Sequence, residues 1–210
     1  MPTPPLPLDD DLRVRIQTNL DRFERRAHEG RQLKRAAVTL LLLAGEGGEA
    51  CFVITRRALR LTSHAGQWAL PGGRLDPGEG ALEAALRETA EEVGVVLTRD
   101  SVLGVMDDYP TRSGYAITPV VVWGGDGCEL VPNPNEVAEV YRVPLAVLEG
   151  SDVPRLRTIP ESDRPVISVP MLGTHIHAPT AVFLYQLREV GMHGRSTRVD
   201  HFEQPVFAWR

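Results

Sequence analysis

Cysteine is almost absent from this chain of 210 residues, in which only Cys51 and Cys128 occur. A single pair cannot build a disulfide framework, so we expect both to be small buried residues in a reducing compartment. Basic charge is also in deficit, and the formal net charge of −5 excludes a general nucleic-acid-binding surface. Such a protein can still bind anions where metal ions and a few arginines reverse the local field.

Long apolar runs are lacking as well. The longest, residues 36–44, is about half as long as a membrane-spanning helix. The N-terminal MPTPPLPLDD has neither the basic start nor the apolar run of a signal peptide. We therefore expect a cytoplasmic protein with no membrane partner. The length and the apolar fraction of 42% favour one well-cored domain with additions.

The most informative pattern lies in residues 73–95. Apolar residues recur at spacings of three and four over residues 79–93, which predicts an amphipathic helix with its carboxylates on the opposite side. Because residues three and four apart stack on a helix, Glu88 faces both Glu91 and Glu92. Three carboxylates so placed repel one another. A hard divalent cation such as Mg²⁺ or Mn²⁺ would supply the counter-charge.

The segment before this helix favours the same interpretation. Gly72 and Gly73 let the backbone bend tightly and bring a carbonyl close to an ion. Arg87 can reach a glutamate one helical turn away and could also hold Glu79 in place. A loop whose carbonyls face a carboxylate-bearing helix is typical of a cation site.

These residues together resemble the Nudix box. Its pattern is a glycine, five residues, Glu, seven residues, Arg-Glu, an aliphatic residue, any residue, Glu-Glu, any residue, Gly and an aliphatic residue. The fixed positions all match, and they are Gly73, Glu79, Arg87, Glu88, Glu91, Glu92 and Gly94. Thr89 stands where an aliphatic residue is usual, so we expect slightly poorer packing there. The alternative is a Glu-rich amphipathic helix with a solvated face.

The resemblance implies an α/β fold, the Nudix α/β/α sandwich with a mixed sheet, and a metal-dependent hydrolase. The implied substrate is a small molecule in which a nucleoside diphosphate is linked to another group. The implied metal ligands are the Gly72 carbonyl, Glu88, Glu91 and Glu92. Glu79 and Arg87 would orient this cluster, and one of the carboxylates would take the proton of the attacking water.

A second signature precedes the box, in residues 54–73. It resembles the one found in the coenzyme A pyrophosphatase branch, and it agrees at Ile54, Thr55, Arg57, Gly66, Pro71, Gly72 and Gly73. It departs at Ala58, Thr62 and Leu70, and Thr62 replaces an arginine that would be a phosphate contact. The branch implies hydrolysis of coenzyme A or its thioesters to 3′,5′-ADP and (acyl-)4′-phosphopantetheine. Arg56, Arg57 and Arg60 are candidate phosphate contacts, with a solvated strand end as the alternative.

Residues beyond the box add further candidates. Strands are predicted at 102–106 and 115–123, and the Ser113-Gly114-Tyr115 run between them again resembles the coenzyme A branch, which makes Tyr115 a candidate substrate contact. Residues 136–145 fit the late strand and short helix of the family. Glu136 or Glu139 could add a carboxylate to the metal cluster or act as the base, and we prefer Glu136.

Other functions remain open on the same pattern. ADP-ribose or another dinucleotide could be the substrate, because the box specifies the chemistry and not the attached group. A non-catalytic nucleotide sensor on the Nudix fold is a further alternative, but it predicts a damaged box, whereas the carboxylates here are intact.

The flanking regions complete the expected architecture. Residues 1–35 should form an extended N-terminus and an amphipathic helix, before a Nudix domain over 36–210. The apolar face of that helix is expected to comprise Leu12, Ile16, Leu20, Phe23 and Ala27. Residues 36–44 and 50–55 predict one hairpin, residues 154–170 a second, and residues 179–190 a final helix.

The C-terminal part contains histidines and aromatic residues of interest. The spacing of His175 and His177 fits either metal ligation or alternation on a strand. Phe202, Phe207 and Trp209 are expected to be buried, on the core or across a homodimer interface, because large rings are costly to leave in water.

Overall fold

The structure is a computed structural model that describes residues 4–30, 32–60 and 65–209. Thr62 of the upstream signature lies outside the described residues, as do residues 1–3 of the N-terminus.

The first element is the amphipathic helix α1 (Asp10–Arg22). Its side chains on the core are Leu12, Ile16 and Leu20. The carboxylate of Asp9 caps it by accepting a hydrogen bond from the Leu12 N–H at 2.8 Å. The predicted face was one turn too long, and Ala27 is exposed. The reason lies in the backbone N–H of His28, which is bonded to the Asp108 carboxylate at 2.9 Å, so the segment after α1 follows a neighbouring loop instead.

A mixed sheet of eight strands forms the centre of the described structure. In chain order the strands are β1 (Lys34–Ala44), β2 (Ala50–Arg57), β3 (Trp68–Ala69), β4 (Gly72–Arg74), β5 (Val102–Val105), β6 (Tyr109–Pro110), β7 (Tyr115–Gly125) and β8 (Val137–Pro144). The main path is β3-β2-β1-β7-β5, with β4 beside β1, β6 beside β7 and β8 beside β2. Only β1 and β7 pair in parallel among these strands. The predicted hairpin of β1 and β2 is confirmed, with Leu42 opposite Phe52.

Both faces of the sheet are covered, which explains the uninterrupted apolar run in β1. Leu40 and Leu42 point into a core shared with α1 and the C-terminal helix. Leu41 and Leu43 point into a second core, which contains residues of helix α2 (Ala81–Val93). A strand buried on both faces reads as a continuous apolar segment rather than an alternating one. The predicted α/β/α sandwich is confirmed.

The C-terminal part adds a small antiparallel sheet and a helix. Its strands are β9 (Arg155–Ile159), β10 (Ser162–Met171) and β11 (Thr174–His177), in the order β11-β10-β9. The antiparallel pairing of β9 and β10 confirms the second hairpin. His175 and His177 lie two residues apart on strand β11. Helix α3 (Thr180–Gln186) continues into a π-helical segment (Leu187–Met192). Within the described residues, no helix is long and apolar enough to cross a bilayer.

The last residues correct one prediction. Phe202 is buried and Trp209 is half-buried, whereas Phe207 is 62% exposed. A short 3₁₀ helix (Val206–Ala208) causes this, because it turns Ala208 to the inside and leaves Phe207 outside. Of the cysteines, Cys51 is buried as expected and Cys128 is half-buried.

Candidate active site

Helix α2 presents one face to the core and one to the site. Ala84, Ala85 and Val93 are buried under the sheet. Gly94 ends the helix with φ of +73°, in the left-handed region that glycine adopts without strain. The opposite face therefore carries the glutamates of the box.

Three carboxylates meet beside this helix, and they belong to Glu88, Glu92 and Glu136. One oxygen of each lies within 4.8 Å of the others. Glu88 and Glu92 are one helical turn apart, and Glu136 comes from the loop before β8. The main-chain N–H of Ala58 donates to the Glu136 carbonyl at 2.9 Å and holds that loop against the end of β2.

Glu91 does not belong to this group, although sequence spacing predicts that it does. Its side chain is 52% exposed and accepts a hydrogen bond from Arg87 at 3.0 Å. Glu139, the other carboxylate considered near β8, is also apart from the cluster. It accepts hydrogen bonds from Arg56, at 3.2 Å, and from Tyr141.

Glu92 is the most deeply buried member of the cluster. Its oxygens accept hydrogen bonds from the Gly72 N–H at 3.2 Å and from Arg57 at 3.5 Å. Burial nevertheless dominates and raises its pKa to about 7. Burial also raises the pKa of Glu88, against the lowering effect of Arg87. The surroundings of both carboxylates thus disfavour the charged form. A bound cation would reverse this preference, because it favours the charged form.

The two glycines of β4 allow the loop to approach the cluster. A Cβ atom on Gly73 would lie 2.1 Å from a carboxylate oxygen of Glu88. A Cβ atom on Gly72 would lie 2.3 Å from the carbonyl oxygen of Ala37 on the neighbouring strand. Only glycine fits at either position without a shift of its surroundings.

Arg87 connects the carboxylates of the box. It makes a bidentate contact with Glu79, with distances of 2.9 and 3.0 Å, and it donates to Glu88 at 2.9 Å. It also bonds the Arg74 carbonyl at 3.1 Å. These contacts raise the pKa of Arg87 further and lower that of Glu79. Arg87 is therefore placed to fix the rotamer of Glu88 from outside the carboxylate cluster.

Thr89 packs better than its polar side chain predicts. It is fully buried, and its hydroxyl lies 2.8 Å from the hydroxyl of Thr39 on β1 and 2.7 Å from the Ala85 carbonyl. The Thr39 hydroxyl donates to the same carbonyl at 2.9 Å. A second threonine thus satisfies the hydroxyl at the position where an aliphatic residue is usual, and the expected packing defect is absent.

The three candidate arginines of the upstream signature all have protein partners. Arg56 contacts Glu139 and lies over the Trp68 ring, and Arg57 contacts Glu92. Arg60 donates to the carbonyl of Asn135 at 3.2 Å and to that of Pro134. Among the described residues, the Nε of Arg57 is buried without a hydrogen-bond partner. Arg57 also lines the neighbouring cleft, which leaves it the best placed of the three to meet a ligand.

A cleft of about 680 Å³ lies beside the carboxylate cluster, and Gly72 and Arg57, the hydrogen-bond partners of Glu92, line it. Gly72 and Gly73 line it, and so does Tyr115, which the sequence made a candidate substrate contact. Arg74 also lines the cleft, with its guanidinium 5.3 Å from the centre of the Tyr115 ring. Sequence reasoning missed Arg74, although its position directly after Gly72-Gly73 was a usable signal.

Comparison with known proteins now decides the family. A model of the NUDIX domain matches residues 33–167. The chain belongs to the NUDIX domain family. A relative described as an uncharacterized Nudix hydrolase NudL, from Pectobacterium atrosepticum, is 36% identical over 137 residues, which cover 65% of this chain and 69% of the relative. The protein of the same description from Photorhabdus laumondii is 43% identical over 95 residues, or 45% of this chain.

The match with the Photorhabdus protein spans about half of that relative's length, 51%. Among solved structures, a MutT/nudix family protein from Enterococcus faecalis is similar with a TM-score of 0.46 and 20% identity, over 71% of this chain and 52% of that one. The Nudix domain of Shewanella oneidensis NrtR, solved with ADP ribose, is similar with a TM-score of 0.43 and 21% identity, over 57% and 77% of the two chains.

Proposed function

We propose that this Nudix protein hydrolyses the diphosphate bond of a nucleoside diphosphate linked to another group, in a reaction that needs a divalent cation. The observation that carries the proposal is the convergence of Glu88, Glu92 and Glu136 beside a large cleft, where Glu92 is hydrogen-bonded to Gly72 and Arg57 of the cleft lining. Like charges brought together at a partly buried position are costly, and a bound cation would offset this cost.

The residues fit Mg²⁺ or Mn²⁺. The cluster offers carboxylate oxygens only, and hard divalent cations prefer such ligands to nitrogen or sulfur. Glu88, Glu92 and Glu136 would hold the cation. Glu91 is more exposed and belongs to the outer part of the site. When bound, a divalent cation neutralises the diphosphate and lowers the pKa of the attacking water.

The other groups of the site position these carboxylates and the substrate. Arg87 and Glu79 keep Glu88 directed towards the cluster, and the Gly72 N–H does the same for Glu92. A carboxylate of the cluster accepts the proton of the attacking water. Arg57 and Arg74, which line the cleft, supply positive charge to the phosphate oxygens.

Coenzyme A or a thioester of it is the substrate we favour within this class. The support is the upstream signature in residues 54–73 together with Ser113-Gly114-Tyr115. Thr62 replaces an arginine of that signature, and a charge-assisted phosphate contact contributes about 1.5 to 3 kcal/mol. Loss of one such contact would lower discrimination for the 3′-phosphate by about ten- to a hundredfold without changing the chemistry.

A panel of diphosphate substrates tests the reaction itself. Coenzyme A, 3′-dephospho-coenzyme A, ADP-ribose and diadenosine polyphosphates are incubated with the wild type and with Glu92→Gln, in Mg²⁺ or in Mn²⁺. We expect cation-dependent hydrolysis by the wild type and a loss of at least about a hundredfold in Glu92→Gln. Equal turnover of the two proteins would contradict the assigned site.

The substrate preference has its own test. We expect Thr62→Arg to raise kcat/KM for coenzyme A relative to the 3′-dephospho form by about tenfold or more. If ADP-ribose is the best substrate of the wild type and Thr62→Arg leaves that ratio unchanged, the coenzyme A assignment is wrong.

A further inference from the structure

The cleft is completed by residues that lie beyond the family match. The match ends at residue 167, yet His175, His177, Phe183 and Phe207 line the same cleft as Arg57 and Gly73. Residues 174–209, here called the C-terminal segment, therefore contribute to the wall of the cleft. The Nudix box contributes Gly73 to the lining, and the C-terminal segment adds aromatic rings and imidazoles.

An ion pair between the buried Glu203 and the partly exposed Arg112 fixes the C-terminal segment in place. Glu203 is buried and contacts Arg112 at 3.2 and 2.5 Å, and it accepts a hydrogen bond from the Ser162 hydroxyl at 2.9 Å. Its own N–H donates to the Pro165 carbonyl at 2.8 Å. The residues that follow Glu203 thus have a defined position at the cleft.

Phe207 follows this anchor, and its large apolar ring is exposed at the cleft. Its ring packs edge-on against His177, with centroids 5.5 Å apart and planes at 80°. The residue is nevertheless 62% exposed, and it lines the cleft. An aromatic ring exposed at a cleft loses the free energy of burial unless a ligand covers it. A flat ligand can cover it by stacking.

His177 offers a polar group beside that ring. Among the described residues, its Nδ1 is buried and has no hydrogen-bond partner. Burial, with smaller contributions from His175 and Arg157, lowers the pKa of His177, so the imidazole is neutral near pH 7. A neutral imidazole carries one donor and one acceptor, and leaving either unpaired is costly.

We propose that Phe207 and His177 bind the nucleobase of the substrate, Phe207 by stacking on the ring and His177 by a hydrogen bond to the edge of the base. The inference rests on the proposed function for the class of substrate, and it assigns the base to the part of the cleft that the C-terminal segment lines. A planar ring with polar atoms on its edge matches this pair, whereas a flexible pantetheine arm has no flat face for Phe207.

Two ligands that differ only by the base provide the test. Adenosine 5′-monophosphate and ribose 5-phosphate are titrated calorimetrically into the full-length protein with Mg²⁺. The proteins are the wild type, Phe207→Ala, Phe207→Trp, His177→Ala and the matched control Val206→Ala. Val206 is exposed in the same 3₁₀ helix and does not line the cleft. The Tm of each variant checks that the fold is kept.

We expect Phe207→Ala to weaken adenosine 5′-monophosphate about five- to a hundredfold, as base stacking does elsewhere. His177→Ala should weaken it about three- to tenfold, as for a single hydrogen bond. Phe207→Trp should retain the affinity. The Kd of ribose 5-phosphate should stay within about twofold of the wild-type value in all variants. The Val206→Ala control should bind both ligands with Kd values within about twofold of the wild type.

Two results would overturn the inference: a wild type that does not distinguish the two ligands, and a Phe207→Ala variant that weakens the binding of both equally or of neither. Neither monophosphate contains a diphosphate bond, so the titration needs no turnover. A failure of the proposed hydrolysis and a failure of this assignment are therefore seen in separate experiments.

Discussion

Burial of Glu92 should make the cation-free protein lose stability as the pH rises. The pKa of Glu92 is raised from 4.5 to about 7 in the folded protein, chiefly by burial. Between these values the folded state keeps a proton that the unfolded state has released. Stability therefore falls as the pH rises from about 4.5 to about 7, and above this range the loss is complete.

The size of this effect follows from the shift. One pKa unit corresponds to 1.36 kcal/mol, so the raised pKa of Glu92 costs the folded state about 3 kcal/mol near pH 7.5 and about 1 kcal/mol near pH 5. Glutamine has almost the same shape and stays neutral, and its oxygen can still accept from the Gly72 N–H. The free energy of unfolding of Glu92→Gln, taken relative to that of the wild type, should therefore be about 2 kcal/mol higher near pH 7.5 than near pH 5. For a chain of this size the difference corresponds to about 4 to 8 °C in Tm.

Thermal unfolding followed by circular dichroism in EDTA measures this difference at the two pH values. Glu83→Gln is the matched control, because Glu83 lies on the same helix with an exposed side chain and pairs with the exposed Arg99. The control should change little at either pH. If the Tm difference between Glu92→Gln and the wild type is the same at both pH values, burial does not oppose ionisation of Glu92 and the reasoning is refuted.

Three further predictions concern neighbouring contacts. Arg87→Lys should lower kcat by about ten- to a hundredfold with a small change in Tm, because lysine cannot reproduce the bidentate contact with Glu79. An unchanged kcat would rule out a positioning role for Arg87. Glu203→Gln should lower stability by about 2 kcal/mol at neutral pH, since burial, which raises the pKa of Glu203, is outweighed by hydrogen bonds from Arg112, the Gln204 N–H and Ser162 that bring its folded pKa to about 2. The deficit should shrink as the pH falls from about 4.5 towards 2, and a constant deficit would contradict these contacts to the carboxylate. Thr89→Val should cost about 1 kcal/mol in chemical denaturation, despite the aliphatic residue usual there, and a gain in stability would show that the hydroxyl contact contributes nothing.

The sequence predicted most of the architecture because its signals are local. The apolar run of β1 and the three- and four-residue spacing in α2 each reflect burial within one element. The two hairpins follow from short loops between such segments. The end of α1 was less predictable, since it depends on the carboxylates of Asp107 and Asp108, which are distant in sequence and take the N–H groups of Arg26 and His28.

The site was predicted less completely, for reasons of geometry. Helical spacing allows Glu88 to face both Glu91 and Glu92, but it does not show that Arg87 draws Glu91 to the outside. Glu136 enters the cluster from a loop, and only the pairing of β8 with β2 places it there. The exposure of Phe207 likewise follows from a short helix at the end of the chain, which apolar patterning does not reveal.

The affinity of the protein for Mn²⁺, measured by electron paramagnetic resonance, tests the central claim most directly. The claim is that Glu88, Glu92 and Glu136 hold the divalent cation that hydrolysis requires. We predict that Glu92→Gln and Glu136→Gln each weaken Mn²⁺ binding by about tenfold or more, while the control Glu83→Gln binds as the wild type does. Wild-type affinity in both cluster variants would contradict the claim.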